Sequence, residues 1–122
     1  MTRRIPEVEG RSAIASWRAA GGTVDRDITA TAVRWGLEEL AERAPGKSVE
    51  VRVPPFGATQ IIAGSTHRRG TPPAVIEMSA DSFLRLVTGA LQWEGAVAGG
   101  LVAASGERAD LSALLPFAEE TA

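Results

Sequence analysis

The chain holds one histidine, no cysteine and no tyrosine, so few side chains could do covalent or proton-transfer chemistry. A serine–histidine–acid arrangement would need His67 as its base. No Gly-x-Ser-x-Gly elbow supplies a nucleophile for it. His67 stands in the run Thr66-His67-Arg68-Arg69-Gly70-Thr71, the densest polar cluster of the chain. Two guanidiniums beside a hydroxyl suit a carboxylate or phosphate. The plainer alternative is solvated charge at a strand connection. His67, Arg68 and Arg69 are therefore candidates for an anion anchor, and no residue is assigned as catalytic.

Metal chemistry lacks ligands. No His-x-x-x-His or His-Glu-x-x-His spacing occurs, and absent cysteines exclude thiolate sites. Carboxylates gather only at Glu38, Glu39 and Glu42, where Glu38 and Glu42 share a helix face at spacing four. They are read as a solvated helix surface. Phosphate loops need glycines between a strand and a helix. Gly21-Gly22 follows a helix and Gly99-Gly100 precedes a strand, and the single lysine, Lys47, belongs to neither. No cofactor and no metal are expected.

Bulk properties narrow the class further. The 122 residues suit one domain, expected to span 1–122. Apolar residues make up 44% and charged residues 23%, a globular balance. The formal net charge is −2 with basic residues scattered, so no nucleic-acid partner is expected. No apolar run reaches the ~20 residues of a membrane span. Residues 1–10 carry two arginines but no apolar core after them, unlike a signal peptide. A cytoplasmic location is the resulting expectation.

The elements that must position these residues can be read from their periods. Residues 5–20 are predicted as a helix with Pro6 in its first turn and an apolar stripe of Val8, Ala13, Ile14, Trp17 and Ala20. Gly10 places an alternative start near Arg11. Residues 25–44 form a second predicted helix, capped by Asp25 or Asp27. Its apolar face is Ile28, Val33, Leu37 and Leu40, with Glu38, Glu39, Glu42 and Arg43 opposite. Gly36 within it would admit a neighbouring backbone closely. After Gly46 the period becomes two: Val49, Val51 and Val53 alternate with Glu50 and Arg52. Residues 58–63 are a second strand, antiparallel to the first. Residues 64–73 are a polar loop whose start could hide a short extra strand. Residues 74–78 are a strand, and Ser79 caps a helix over 80–88 that Gly89 ends. A short helix over 93–99, a strand over 101–105 and a last short helix over 109–117 complete the order. Helices and strands without βα alternation predict an α+β fold.

The last forty residues are rich in aliphatic and aromatic side chains, spread over three short helices and a strand. Here the chain resembles a known family. Ser82-Phe83-Leu84-Arg85-Leu86-Val87-Thr88-Gly89 is similar to the Phe-Leu, aliphatic, Thr-Gly helix of the sterol carrier protein (SCP-2-like) family. Leu91 and residues 93–97 resemble the short helix after it. Residues 100–106 resemble its Gly-x-aliphatic-x-aliphatic-Ser/Thr-Gly strand, and residues 110–117 its leucine-rich closing helix. The resemblance covers roughly 48–117, and Val-Arg-Val-Pro-Pro-Phe at 51–56 with Arg-Gly-Thr-Pro-Pro at 69–73 is similar to a compact actinobacterial branch. The chain departs from the pattern at 66–73, where a basic loop stands in place of an early Trp-x-aliphatic-Asp strand.

The resemblance implies a mixed sheet of four to five strands covered by helices, after two N-terminal helices. It also implies a hydrophobic tunnel between sheet and C-terminal helices for a fatty acid, acyl-CoA or sterol-like lipid. By position, Phe83, Leu84, Val87, Val97, Val102, Leu111, Leu114 and Leu115 would line or flank it. His67, Arg68 and Arg69 would anchor the head group. Three readings stay open: a non-catalytic carrier of an apolar ligand, an accessory domain contacting another protein or its own copy, and a small enzyme using His67.

Overall fold

A computed structural model of the chain describes residues 4–64, 74–106 and 109–119. In these residues helix α1 (Glu7–Ala19) and helix α2 (Arg26–Arg43) precede strands β1 (Val49–Val53), β2 (Gly57–Ile61) and β3 (Ala74–Met78). Helix α3 (Ala80–Thr88), helix α4 (Trp93–Ala98) and strand β4 (Val102–Ser105) follow. The sheet runs β2-β1-β3-β4, with β1 parallel to β3 and the two outer pairs antiparallel. This is the α+β architecture that the periods and the resemblance predict. The extra strand suggested near residue 64 lies outside the described residues.

Strand alternation sorts the sheet into two faces. Val49, Val51, Val53, Ile61, Ala74, Ile76, Met78 and Val102 are buried on one face, whereas Arg52, Gln60 and Glu77 meet solvent on the other. The register sets Val51 beside Ile76 and Met78 beside Val102, so the inner face is continuous across three strands. Phe83, Leu84, Leu86 and Val87 of α3 and Val33, Leu37 and Leu40 of α2 belong to the same core cluster as this face. Strand β2 stops at Ile61 rather than residue 63 because Ile62 turns to φ +65. That conformation is costly for a β-branched residue. It is held there by hydrogen bonds from Ile62 N to Ala44 O (2.6 Å) and from Ser48 N to Ile62 O (3.1 Å).

The N-terminal helix corrects two expectations. Its buried positions are Gly10, Ala13, Ile14 and Trp17, the i, i+3, i+4, i+7 set of one helical face. Val8 is 84% exposed and Ala20 is exposed as well, so neither belongs to the stripe. The helix also begins at Glu7, and Gly10 lies within it. A Cβ on Gly10 would stand 2.1 Å from Trp35 Cγ, so glycine is what lets α1 close onto α2.

Helix α2 is buried around much of its girth because α1 packs on one side and β2 with α3 on the other. Gly36 does admit a close neighbour, but the neighbour is a ring. Its Cβ position falls 2.7 Å from Phe83 Cε2. Glu39 is only 7% exposed, which corrects its reading as solvated surface. Arg4 and Arg43 both pair with it, the latter at 3.3 Å, while Arg4 also reaches Glu42 and Ile5 N donates to Glu38 at 2.8 Å. These carboxylates hold the residues before α1 against α2.

The last predicted helix does not form. Residues 109–119 make a turn at 112–114 and otherwise run without regular structure. Pro116 has no N–H and disfavours helical backbone at Leu115. The few residues before it are too short a run to offset helix nucleation. Local bonds take over: Ser112 N donates to Asp110 Oδ1 (2.8 Å) and Leu114 N to Leu111 O (2.9 Å). Phe117 N and Ala118 N then both donate to Val87 O, at 3.1 and 3.0 Å. That carbonyl lies in the last turn of α3, where no intrahelical donor remains.

Candidate functional site

Helix α3 organises both candidate regions. Ser79 Oγ accepts from Ser82 N at 3.1 Å to cap its start, and Gly89 at φ +85 ends it in the left-handed conformation. Between these caps its apolar face carries Phe83, Leu84, Leu86 and Val87, all buried, and its polar edge carries Asp81 and Arg85.

The residues expected around a tunnel are largely brought together. Phe83, Leu84, Val87 and Leu111 are fully buried in one cluster, and Val102 is buried on the inner face of β4. Leu114 and Leu115 are half-buried against that cluster. Val97 is the exception: it is 45% exposed on α4. A side chain lining a space that holds water would keep accessible surface. Phe83, Leu84, Val87 and Leu111 keep none, so they pack against protein atoms. His67, Arg68 and Arg69 lie outside the described residues.

Segment 109–119 covers the apolar side of α3 and is fastened from three helices. Besides the bonds to Val87 O, Arg18 Nη2 donates to Ala118 O at 2.9 Å. The Phe117 ring meets Trp35 edge-on at 6.1 Å between centroids, with the Arg43 guanidinium 5.0 Å from its own centroid. Within the segment, Asp110 has its carboxyl held below the usual range, first by the backbone N–H of Ser112 and then by the Ser112 side chain, with slight desolvation opposing.

Grooves open among the described residues, and three of them bear on the site. The largest of these three, about 680 Å³, lies between the end of α1, the polar edge of α3 and Glu119. Trp17, Arg18, Gly21, Gly22, Asp81 and Arg85 are among its walls. A second, about 310 Å³, is lined by Leu86, Leu91, Trp93, Leu115 and Pro116, between α4 and segment 109–119. A third, about 530 Å³, lies beside β2, lined by Ile5, Leu37, Glu38 and Thr59. Of the eight residues expected around the tunnel, Leu115 alone lines any of these three. Sequence reasoning missed the first groove. Its only local trace is Trp17-Arg18 just before Gly21-Gly22, a glycine pair that by itself marks no more than the end of a helix.

No group of three His, Cys, Asp or Glu among the described residues could hold a metal ion. No helix among them is long and apolar enough to cross a membrane. In comparison with known proteins, the family described as Bacterial SCP ortholog matches residues 25–117, from the cap of α2 to Phe117. Helix α1 lies outside that match. No curated protein matches the chain.

Proposed function

We propose, from the premise that this chain belongs to the bacterial SCP-orthologue, sterol-carrier-like family, that it is a non-catalytic module binding a lipid-like apolar ligand. Fatty acids, acyl-CoA and sterol-like lipids are the candidate classes. The observation that carries the reading is the apolar face of α3, which shares one core cluster with the inner face of the sheet and is tied at Val87 O by the non-helical segment 109–119. Apolar pockets with few polar anchors are the usual form of such sites. An acyl chain would run along Phe83, Leu84 and Val87, flanked by Val102, Leu111, Leu114 and Leu115. Because the core is filled, entry requires segment 109–119 to lift from Val87 O.

Delipidated protein titrated with a fluorescent fatty acid and an acyl-CoA tests this. Saturable binding, weakened by Leu115→Asp at the half-buried rim, is the expected result. Absence of saturable binding, together with no co-purified lipid by native mass spectrometry, would defeat it.

A second reading, an accessory protein-interaction domain with a closed core, is favoured by the zero exposure of Phe83, Leu84, Val87 and Leu111. Val97 and Leu101, close together after α3, are then two exposed apolar positions through which a partner or second copy would be met. Sedimentation velocity over a range of concentrations, with Val97→Asp as control, separates the two.

A further inference from the structure

The groove between α1 and α3 is built differently from the apolar face of α3. Trp17 forms part of its wall and is only 6% exposed. Its Nε1 lies 3.7 Å from where a Cβ on Gly22 would stand. Gly22 is itself a wall residue, so this donor looks into the groove. An indole N–H is a donor with no acceptor capacity, so an acceptor placed in the groove suits it.

Arg18 is half-buried and spends one Nη2 bond on Ala118 O, which leaves the rest of its five-donor fork. Arg85 pairs with Asp81 only at 3.8 Å, an exposed helix pair of little strength. Thr88 Oγ1 donates to Leu84 O at 2.8 Å, so its hydroxyl proton is already used. The two carboxylates of the groove, Asp81 and Glu119, belong to exposed residues, where water screens them.

Backbone geometry keeps the space open. Gly21 and Gly22 hold φ of +66 and +90, which lets the chain leave α1 without side chains. A Cβ on Gly22 would come within 3.3 Å of Asp81 Oδ1, so a side chain there would narrow the groove. The volume, about 680 Å³, falls within the range of small-molecule sites. Four of its wall residues, Trp17, Arg18, Gly21 and Gly22, precede the residues that match the family, so α1 creates this groove.

We propose that this groove binds a small molecule through an anionic head, a carboxylate or a phosphate, received by Trp17 Nε1 and the guanidiniums of Arg18 and Arg85. A guanidinium takes either anion through paired hydrogen bonds. The site stands apart from the apolar face of α3 and does not rest on the lipid reading.

The test follows the three tryptophan indole signals of the ¹⁵N-labelled full chain. Phenyl phosphate is titrated in one arm and benzoate in another. The Trp17 signal, assigned through its contact with Gly22, is expected to shift saturably while that of buried Trp35 stays in place. A response to one probe only identifies the head group as phosphate or carboxylate, and a response to both supports the shared anion chemistry. Arg85→Gln alters a half-buried side chain outside the core cluster and should leave folding intact. It is expected to raise the dissociation constant about tenfold. Trp17→Phe keeps the ring and removes the donor, with weakening expected as well. If neither probe moves the Trp17 signal, or if Arg85→Gln binds both as tightly as the parent, the proposal fails. Neither result bears on fatty-acid binding, which is read separately.

Discussion

Replacing Gly10 by alanine adds one methyl group at the place where α1 crosses α2. The added carbon would stand 2.1 Å from Trp35 Cγ and 2.5 Å from both Cδ1 and Cδ2. Ordinary carbon contacts are ~3.5–4.0 Å, so α1 must move outward by roughly 1.5 Å. The ring cannot yield instead: Trp35 is fully buried, with Phe117 edge-on at 6.1 Å and Arg11 at 5.3 Å. Overpacking a rigid site costs up to about 3 kcal/mol. Alanine returns about 1 kcal/mol through helix propensity. The net loss expected is about 2 kcal/mol. Gly95→Ala is the internal control. It lies within α4 with nothing within 4 Å of its Cβ position, so the same change should stabilise by up to about 1 kcal/mol. Urea unfolding read by tryptophan fluorescence and far-ultraviolet circular dichroism measures both. With a slope of about 1–2 kcal/mol per molar, the Gly10→Ala midpoint should fall by roughly 1–2 M. An unchanged or raised midpoint at constant slope would refute the argument that the Gly10–Trp35 contact sets the helix spacing.

Three further outcomes follow from the packing and from the shifted carboxyl of Asp110. Phe83→Ala should cost about 3–5 kcal/mol by calorimetry, since a fully buried ring is lost. Gly36→Ala, destabilising alone because its Cβ meets that ring at 2.7 Å, should be less harmful in the Phe83→Ala background. For Asp110 the folded carboxyl titrates lower than in the unfolded chain. Its contribution is therefore present above the unfolded value, about 3.9, and is lost as pH falls through the lower folded value. Asp110→Asn should remove that part of the acid dependence, so the stabilities of the two proteins converge as the solution is acidified below about pH 3.9. Parallel pH profiles would count against it.

Most of the element order was legible because its signals are local. Alternation at Val49, Val51 and Val53, the Ser79 cap and the Gly89 stop depend on neighbours in the chain, and each appears where those neighbours imply. The failed helix over 109–117 shows the limit. Its leucines suggested a helical face, but the donors of Phe117 and Ala118 are claimed by Val87 O on another element. The candidate site was legible only as an apolar set: the burial of Phe83, Leu84, Val87 and Leu111 follows from their type, whereas the exposure of Val97 does not.

Composition and spacing alone determined the α+β class, the helix and strand periods and the thin inventory of reactive side chains. Tertiary structure decided what those residues face. Glu39 became a buried partner of Arg4 and Arg43, although its helix position gave it to the solvent side. Gly10 became a contact rather than a helix breaker. Trp17, Arg18 and Arg85 came to share one groove across α1 and α3. Each depends on residues far apart in the chain, and periodicity carries only the near-neighbour part of the energy, whereas burial and pairing are set by which surfaces meet.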